Sequence, residues 1–212
     1  GQAQLNLRVT SSGDPANPTS VSTQTFRYDV YGNLKSSKTE TQTRNAQGGL
    51  AITSTTNETY TIGRTGQAQL VNRTTTTGLF SDPTEVTVQT FEYDDFGNLK
   101  KSISETSSHT ANGMEVTSTT TETYTVGRTG QAQLMSRNTK TGNVSAPTEE
   151  TNTIFTYDNY GNLTESNSTT QTRDANGAQV VTSSTHEEYT IGRTGQAQLN
   201  LRVTSSGDPA NP

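Results

Sequence analysis

Residues 1–18, GQAQLNLRVTSSGDPANP, recur unchanged as residues 195–212. A chain that restates its own opening is not organised around one unique core. It has to be read as a periodic array, and repeats constrain the fold before any local feature does. The recurrence has a period of 194 residues. It begins inside a motif, because Gly63–Leu70 reads GRTGQAQL whereas the chain opens on GQAQL. The expectation is a stretch of a longer array that continues with the same period past both ends.

A shorter period lies inside this one. Tyr28-Asp29-Val30-Tyr31-Gly32-Asn33-Leu34 recurs as Tyr93-Asp94-Asp95-Phe96-Gly97-Asn98-Leu99 and as Tyr157-Asp158-Asn159-Tyr160-Gly161-Asn162-Leu163. Gly32 and Gly97 are 65 residues apart, Gly97 and Gly161 are 64 apart. Between these copies fall three of GRTGQAQL, led by Tyr60, Tyr124 and Tyr189, with arginines Arg64, Arg128 and Arg193 and second glycines Gly66, Gly130 and Gly195. The units are then 26–90, 91–154 and an incomplete 155–212, with 1–25 as the end of a preceding unit. Segments 1–18 and 66–83, one unit apart, agree at nine positions, whereas 1–18 and 195–212 agree at all eighteen. Duplication of a three-unit block after its units had diverged explains the nesting.

Glycine and proline punctuate each unit at four places: the YGN or FGN site, GRTG, a tip (Gly48-Gly49, Gly113, Gly177) and a loop from Gly13 to Pro18 with its copies. Glycine tolerates positive φ and proline fixes φ, so such clusters mark turns. The intervening segments are of strand length and alternate with period two. In Thr117–Val126 the odd positions are all Thr, while Tyr124 and Val126 share the other face. Thr, rich throughout, suits a pleated surface and is a poor helix former. The reading is all-β: tandem antiparallel β-hairpins forming a spiral sheet or a solenoid-like rod.

Composition bounds function. Only 26% of residues are hydrophobic, too few for a conventional core, and twelve of the thirteen aromatics sit at motif positions. The expectation is that these rings form the packed interior, Phe26, Phe91 and Phe155 in one row and Tyr60, Tyr124 and Tyr189 in another. A lone unit cannot offset its ordering entropy, so stability must be shared along the array. The net charge of −5 with interspersed signs offers no basic patch for nucleic acid. No apolar run is long enough for membrane insertion in this segment, and the absence of cysteine removes disulfides and thiolate metal sites.

The Tyr-Asp-x-x-Gly-Asn-Leu pattern, preceded two residues earlier by Phe26, Phe91 or Phe155, resembles the YD repeat of Rhs and teneurin-type proteins. Tyr60-Thr61-Ile62-Gly63-Arg64-Thr65-Gly66 looks like a degenerate second copy of it. The resemblance implies hairpins winding into a long spiral sheet, an extracellular or cell-surface location, and in many members a hollow shell around a toxin.

No nucleophile elbow, P-loop or zinc spacing occurs. His109 and His186 have no recurring partner and read as surface residues; Glu149-Glu150 and Glu187-Glu188 read as solvated charge. Asp174-Ala175-Asn176-Gly177 has the clustered oxygens of a calcium loop, but its counterparts lack the Asp, so a hairpin turn is favoured. Asp29, Asp94 and Asp158 are expected to cap their own turns, and Arg64, Arg128 and Arg193 to pair with these carboxylates when half-units stack. The structural motif set is completed by Leu34, Leu99 and Leu163. No cofactor and no catalytic or metal-binding residue is expected. The function expected is a non-enzymatic structural repeat protein, an extracellular fibre or surface stalk whose partners are neighbouring repeats or copies of itself. The alternatives are a Rhs-like shell or secreted delivery protein, and an adhesin whose repeated face binds glycans.

Overall fold

A computed structural model describes residues 4–127, 130–192 and 196–207. Its elements are all strands: β1 (Leu7–Asp14), β2 (Asn17–Tyr28), β3 (Leu34–Arg44), β4 (Leu50–Ile62), β5 (Ala68–Leu79) and β6 (Asp82–Tyr93). They continue as β7 (Leu99–Thr110), β8 (Gly113–Val126), β9 (Ala132–Asn143), β10 (Ala146–Tyr157), β11 (Leu163–Arg173), β12 (Gln179–Ile191) and β13 (Ala197–Ser206). Strand order is chain order, so the fold is the succession of antiparallel hairpins that the glycine and proline spacing predicts. The chain divides into two compact units, one built on β1–β6 and the other on β9–β13, with β7 and β8 shared out between them.

Register explains the motif leucines. A bulge precedes the motif tyrosine between Arg27 and Tyr28 in the first Tyr-Asp copy and between Thr156 and Tyr157 in the third. The extra residue re-aims the ring so that Tyr28 faces Leu34 and Tyr157 faces Leu163 across the hairpin. The same device sets Tyr60 against Leu70, Tyr124 against Leu134 and Tyr189 against Leu199. Both motifs therefore end in leucine for one reason: it is the cross-strand partner of the tyrosine.

The middle of each unit is polar. One rung runs Thr39, Thr56, Thr75, Thr87 across β3 to β6, and another runs Thr120, Thr139, Thr151, Thr170 across β8 to β11. Hydroxyls on these rungs pair directly, at 3.2 Å for Thr56 and Thr75 and at 3.0 Å for Thr151 and Thr170.

The expected aromatic interior is not formed. No hydrophobic side chain is buried among the described residues, whereas Ser37, Thr55, Thr76 and Ser166 are. Phe26, Phe91, Phe155, Tyr60, Tyr124 and Tyr189 are half-buried. The ring at the tip of each Tyr-Asp turn is open to solvent, Tyr31 at 88%, Phe96 at 70% and Tyr160 at 71%. The physical reason lies in the layering. The described elements belong to one sheet, so a ring is covered only by its neighbours on the same face.

Candidate functional site

The recurring motifs build a lattice of side-chain bonds, and its smallest part is the turn. In Asp29–Asn33 the Asp29 N–H donates to the Asn33 carbonyl at 2.9 Å and the Gly32 N–H to the Asp29 carbonyl at 3.1 Å. Asp29 Oδ1 accepts the N–H groups of Tyr31 (2.9 Å) and Asn33 (2.8 Å), and Oδ2 accepts the Asn33 side-chain amide (3.0 Å). Gly32 adopts φ +91°, a region that L side chains avoid, which fixes glycine at the fourth place. Asp158 makes the same three bonds in its own turn. In both, the Asn amide and backbone bonds hold the carboxyl below the usual range. Asp174 Oδ1 likewise accepts from Asn176 and Ala178, so the loop with calcium-like composition is a turn of this kind.

The GRTG segment folds into the same frame. Gly63 N–H donates to the Gln67 carbonyl and Gly66 N–H to the Gly63 carbonyl, each at 2.9 Å. Glycine replaces Asp at the first place for a steric reason. A Cβ on Gly63 would lie 2.7 Å from Gln69 Cδ, and one on Gly127 would lie 2.6 Å from Gln133 Cδ. The amide of that glutamine reaches across to another turn. Gln69 Nε2 donates to the Gly97 carbonyl (2.9 Å), Gln133 to Gly161 (2.7 Å) and Gln4 to Gly32 (3.1 Å). Gln4, Gln69 and Gln133 thus each clasp the Tyr-Asp turn that follows them. The tyrosine closes the clasp from the other side, with Tyr28 Oη donating to the Leu5 carbonyl and Tyr157 Oη to the Leu134 carbonyl, both at 2.9 Å. At the opposite strand ends Arg44 reaches the Pro18 and Gly48 carbonyls, and Arg173 those of Pro147 and Gly177.

A four-residue network crosses three strands in each repeat. Glu58 Oε2 accepts from Ser37 Oγ and Tyr60 Oη, both at 2.7 Å, and Oε1 accepts from Arg73 Nε at 2.9 Å. Ser102, Tyr124 and Arg137 surround Glu122 in the same way, and Ser166, Tyr189 and Arg202 surround Glu187. Partial burial pushes the carboxyls of Glu58 and Glu122 up, but the hydrogen bonds outweigh it and hold both below the usual value. Bonds from Tyr189, Ser166 and Arg202 take Glu187 down to about 2.

Sequence reasoning named the tyrosines of this network and missed their partners. Glu187, read as solvated charge, is in fact the hub of one copy, with a side chain 15% exposed. A signal was present: Glu-x-Tyr followed by Arg fifteen residues after the Glu occurs three times. The expected Arg–Asp pairing is corrected at Arg64. The carboxylates of Asp29 and Asp158 are engaged by their own turns, and the Arg64 guanidinium lies over the Phe96 ring, 5.7 Å from its centre. Among the described residues Arg64 makes no ion pair; Arg128, Arg193 and Gly195 lie outside them. His186 bonds Asn167 at 2.8 Å and Glu188 at 3.3 Å, and His109 approaches Asp82 at 3.8 Å. No cluster of His, Asp and Glu among the described residues has the geometry to hold a metal ion.

No family model matches the sequence, and no curated protein does. Solved structures that resemble it include a porin-like protein from Bacteroides uniformis, with 16% identity, TM-score 0.26 and 94% of each chain covered. A TcdB2-TccC3-Cdc42 structure shares 14% identity at TM-score 0.24, over 97% of this chain and 13% of that one. A Bacteroides fragilis protein of unknown function shares 11% identity at TM-score 0.14, with 94% and 92% covered.

Proposed function

We propose that this chain is a structural repeat protein, a length of extracellular fibre or surface stalk with no catalytic role. The observation that carries this reading is the destination of its recurring polar groups. Asp29 spends its hydrogen bonds on its own turn, and Glu58, Tyr60, Gln69 and Arg73 spend theirs on the same or neighbouring strands and turns of the array. A binding or catalytic site leaves such groups aimed at an absent ligand, whereas a scaffold consumes them internally. The resemblance to YD repeats supports a secreted or surface location. The test is to compare arrays of one, two and four 194-residue blocks. Unfolding midpoints should rise with block number, and particle length seen by small-angle scattering should grow by a constant increment per block. Blocks that melt independently, or a particle that grows compactly, would overturn the reading.

One observation favours a second role. Tyr31, 88% exposed, presents an aromatic ring at its turn tip, and such a ring suits a sugar face, in keeping with the adhesin reading. Glycan-array binding that vanishes in Tyr31→Ala, with stability unchanged, would establish it.

A further inference from the structure

The sequence carries five Asn-x-Ser/Thr triplets without proline in the middle, beginning at Asn57, Asn72, Asn143, Asn162 and Asn167. Such a triplet is an acceptor for N-linked sugar, but only where an accessible stretch of chain can offer it to a transferase. The fold treats the five very differently. Asn57 and Asn72 lie inside β4 and β5, in rungs with a paired strand on each side. Asn162 Nδ2 donates to Asp158 Oδ2 at 2.9 Å within its turn, and Asn167 Nδ2 donates to Glu165 Oε1 at 2.6 Å.

Asn143 is held in another way. It ends β9, and Asn143-Val144-Ser145 forms the exposed tip of the hairpin into β10. Asn143 Oδ1 accepts the Ser145 N–H at 3.0 Å and the Ser145 hydroxyl at 2.7 Å, an Asx turn that fixes the amide plane. Its Nδ2 has no hydrogen-bond partner among the described residues. The matching loop between β1 and β2 shows that the turn does not need this nitrogen. Asp14, at the same place, holds the Ala16 N–H at 2.9 Å with a carboxylate oxygen. The loop between β5 and β6 has Leu79 there. The Asn143 amide nitrogen is surplus to the scaffold.

We propose that Asn143 is an N-glycosylation site, the one triplet of the five that the folded array presents. In the transfer, Asn143 Nδ2 attacks the anomeric carbon of a phosphate-activated sugar. A bond forms between Nδ2 and that carbon, and the bond from the carbon to the phosphate oxygen breaks. The phosphate leaves with the electron pair, and one Nδ2 proton passes to a base of the transferase. The sugar then stands at a hairpin tip, where no ladder bond has to open to admit it. This goes beyond the structural reading above.

The test compares each site in the folded full chain with a free peptide of the same sequence. Both are incubated with a soluble asparagine glucosyltransferase and UDP-glucose, and hexose is located by peptide mass spectrometry. Asn143 should react in the folded chain nearly as fast as in its peptide. The other four should slow by about tenfold or more, because a strand or a bonded turn reacts only after local opening. Asn143→Asp keeps the oxygen that the turn uses, as Asp14 does, so it should fold normally and lose the sugar. Ser145→Ala should lose the sugar as well, and Ser145→Thr should keep it. In chain taken from its own cells Asn143 should carry sugar, a single hexose marking a nucleotide-sugar donor and an oligosaccharide a lipid-linked one. Bare Asn143 in that chain, equal slowing at all five sites, or sugar that survives Asn143→Asp would each overturn the proposal. The melting and length of multi-block arrays are read separately, so failure here is distinguishable from failure of the scaffold.

Discussion

The Asp29 turn and the Gly63 turn share a backbone frame and reach it by different means. In the first, one carboxylate gathers two backbone N–H groups and an amide, so the turn holds itself. In the second the first residue is bare, because the space a side chain would need belongs to Gln69, which serves a different turn. Their tyrosines differ in parallel. Tyr28 donates to a backbone carbonyl, Tyr60 to the Glu58 carboxylate. One half-unit keeps its charge in the turn; the other moves it into the strands and leaves the turn dependent on a neighbour. Identical geometry thus does not imply identical energetics, and the two halves should fail under different insults.

Acid should produce the widest failure. Glu187 is depressed from 4.5 to about 2, and Glu58, Glu122, Asp29 and Asp158 are depressed as well. A lowered folded-state value means the stabilisation is fully present above the unfolded value and is lost as pH falls through the folded one. Melting temperature should therefore fall between about pH 4.5 and pH 2, and Glu187→Gln should flatten that limb. Amide exchange sharpens the contrast: protection at Asn33 should be lost in acid before protection at Gly66, whose partner is the Gly63 carbonyl. Simultaneous loss would merge the two turns into one class.

Removing a single hub comes next. Glu58→Ala strands Ser37, Tyr60 and Arg73 together and should cost ~3 kcal/mol in denaturant unfolding. A loss below ~1 kcal/mol would reduce the network to a surface ion pair. A smaller effect is expected at the bare turn. Gly63→Ala should cost ~1–2 kcal/mol by displacing Gln69 from the Gly97 carbonyl. Gln69→Ala added to it should cost little more, since the two changes remove the same bond. Smallest is the graft of one turn onto the other. Gly63→Asp should destabilise alone and recover to within about 1 kcal/mol of Gln69→Ala when combined with it. Failure to recover would show that the Gly turn has a further requirement.

The hairpin succession was legible because turns need particular residues: Gly32, Gly66 and Gly97, each with positive φ, punctuate the sequence at the places where the strands end. The kinship of GRTG with the Tyr-Asp turn was legible for the same reason. Burial was not. Alternation reveals that Tyr124 and Val126 share a face, but it cannot reveal whether anything covers that face, and Val126 is 44% exposed. The polar lattice was hidden by distance. Glu58 lies 21 residues from Ser37 and 15 from Arg73, and only the strand register brings them together.

The clasp also governs how the gene encoding such an array can change in length. Gln69 is placed by the start of β5 yet holds the turn that follows β6, so each clasp reaches from a Gly half-unit into the next Asp half-unit. Deleting or inserting a single hairpin sets two half-units of one kind side by side and leaves a glutamine facing the wrong turn. Recombination that adds or removes both hairpins together restores every pairing. Length variants that still fold should therefore differ by whole units of 64 or 65 residues, and a hairpin-sized indel of half that length should lose the clasp at its junction.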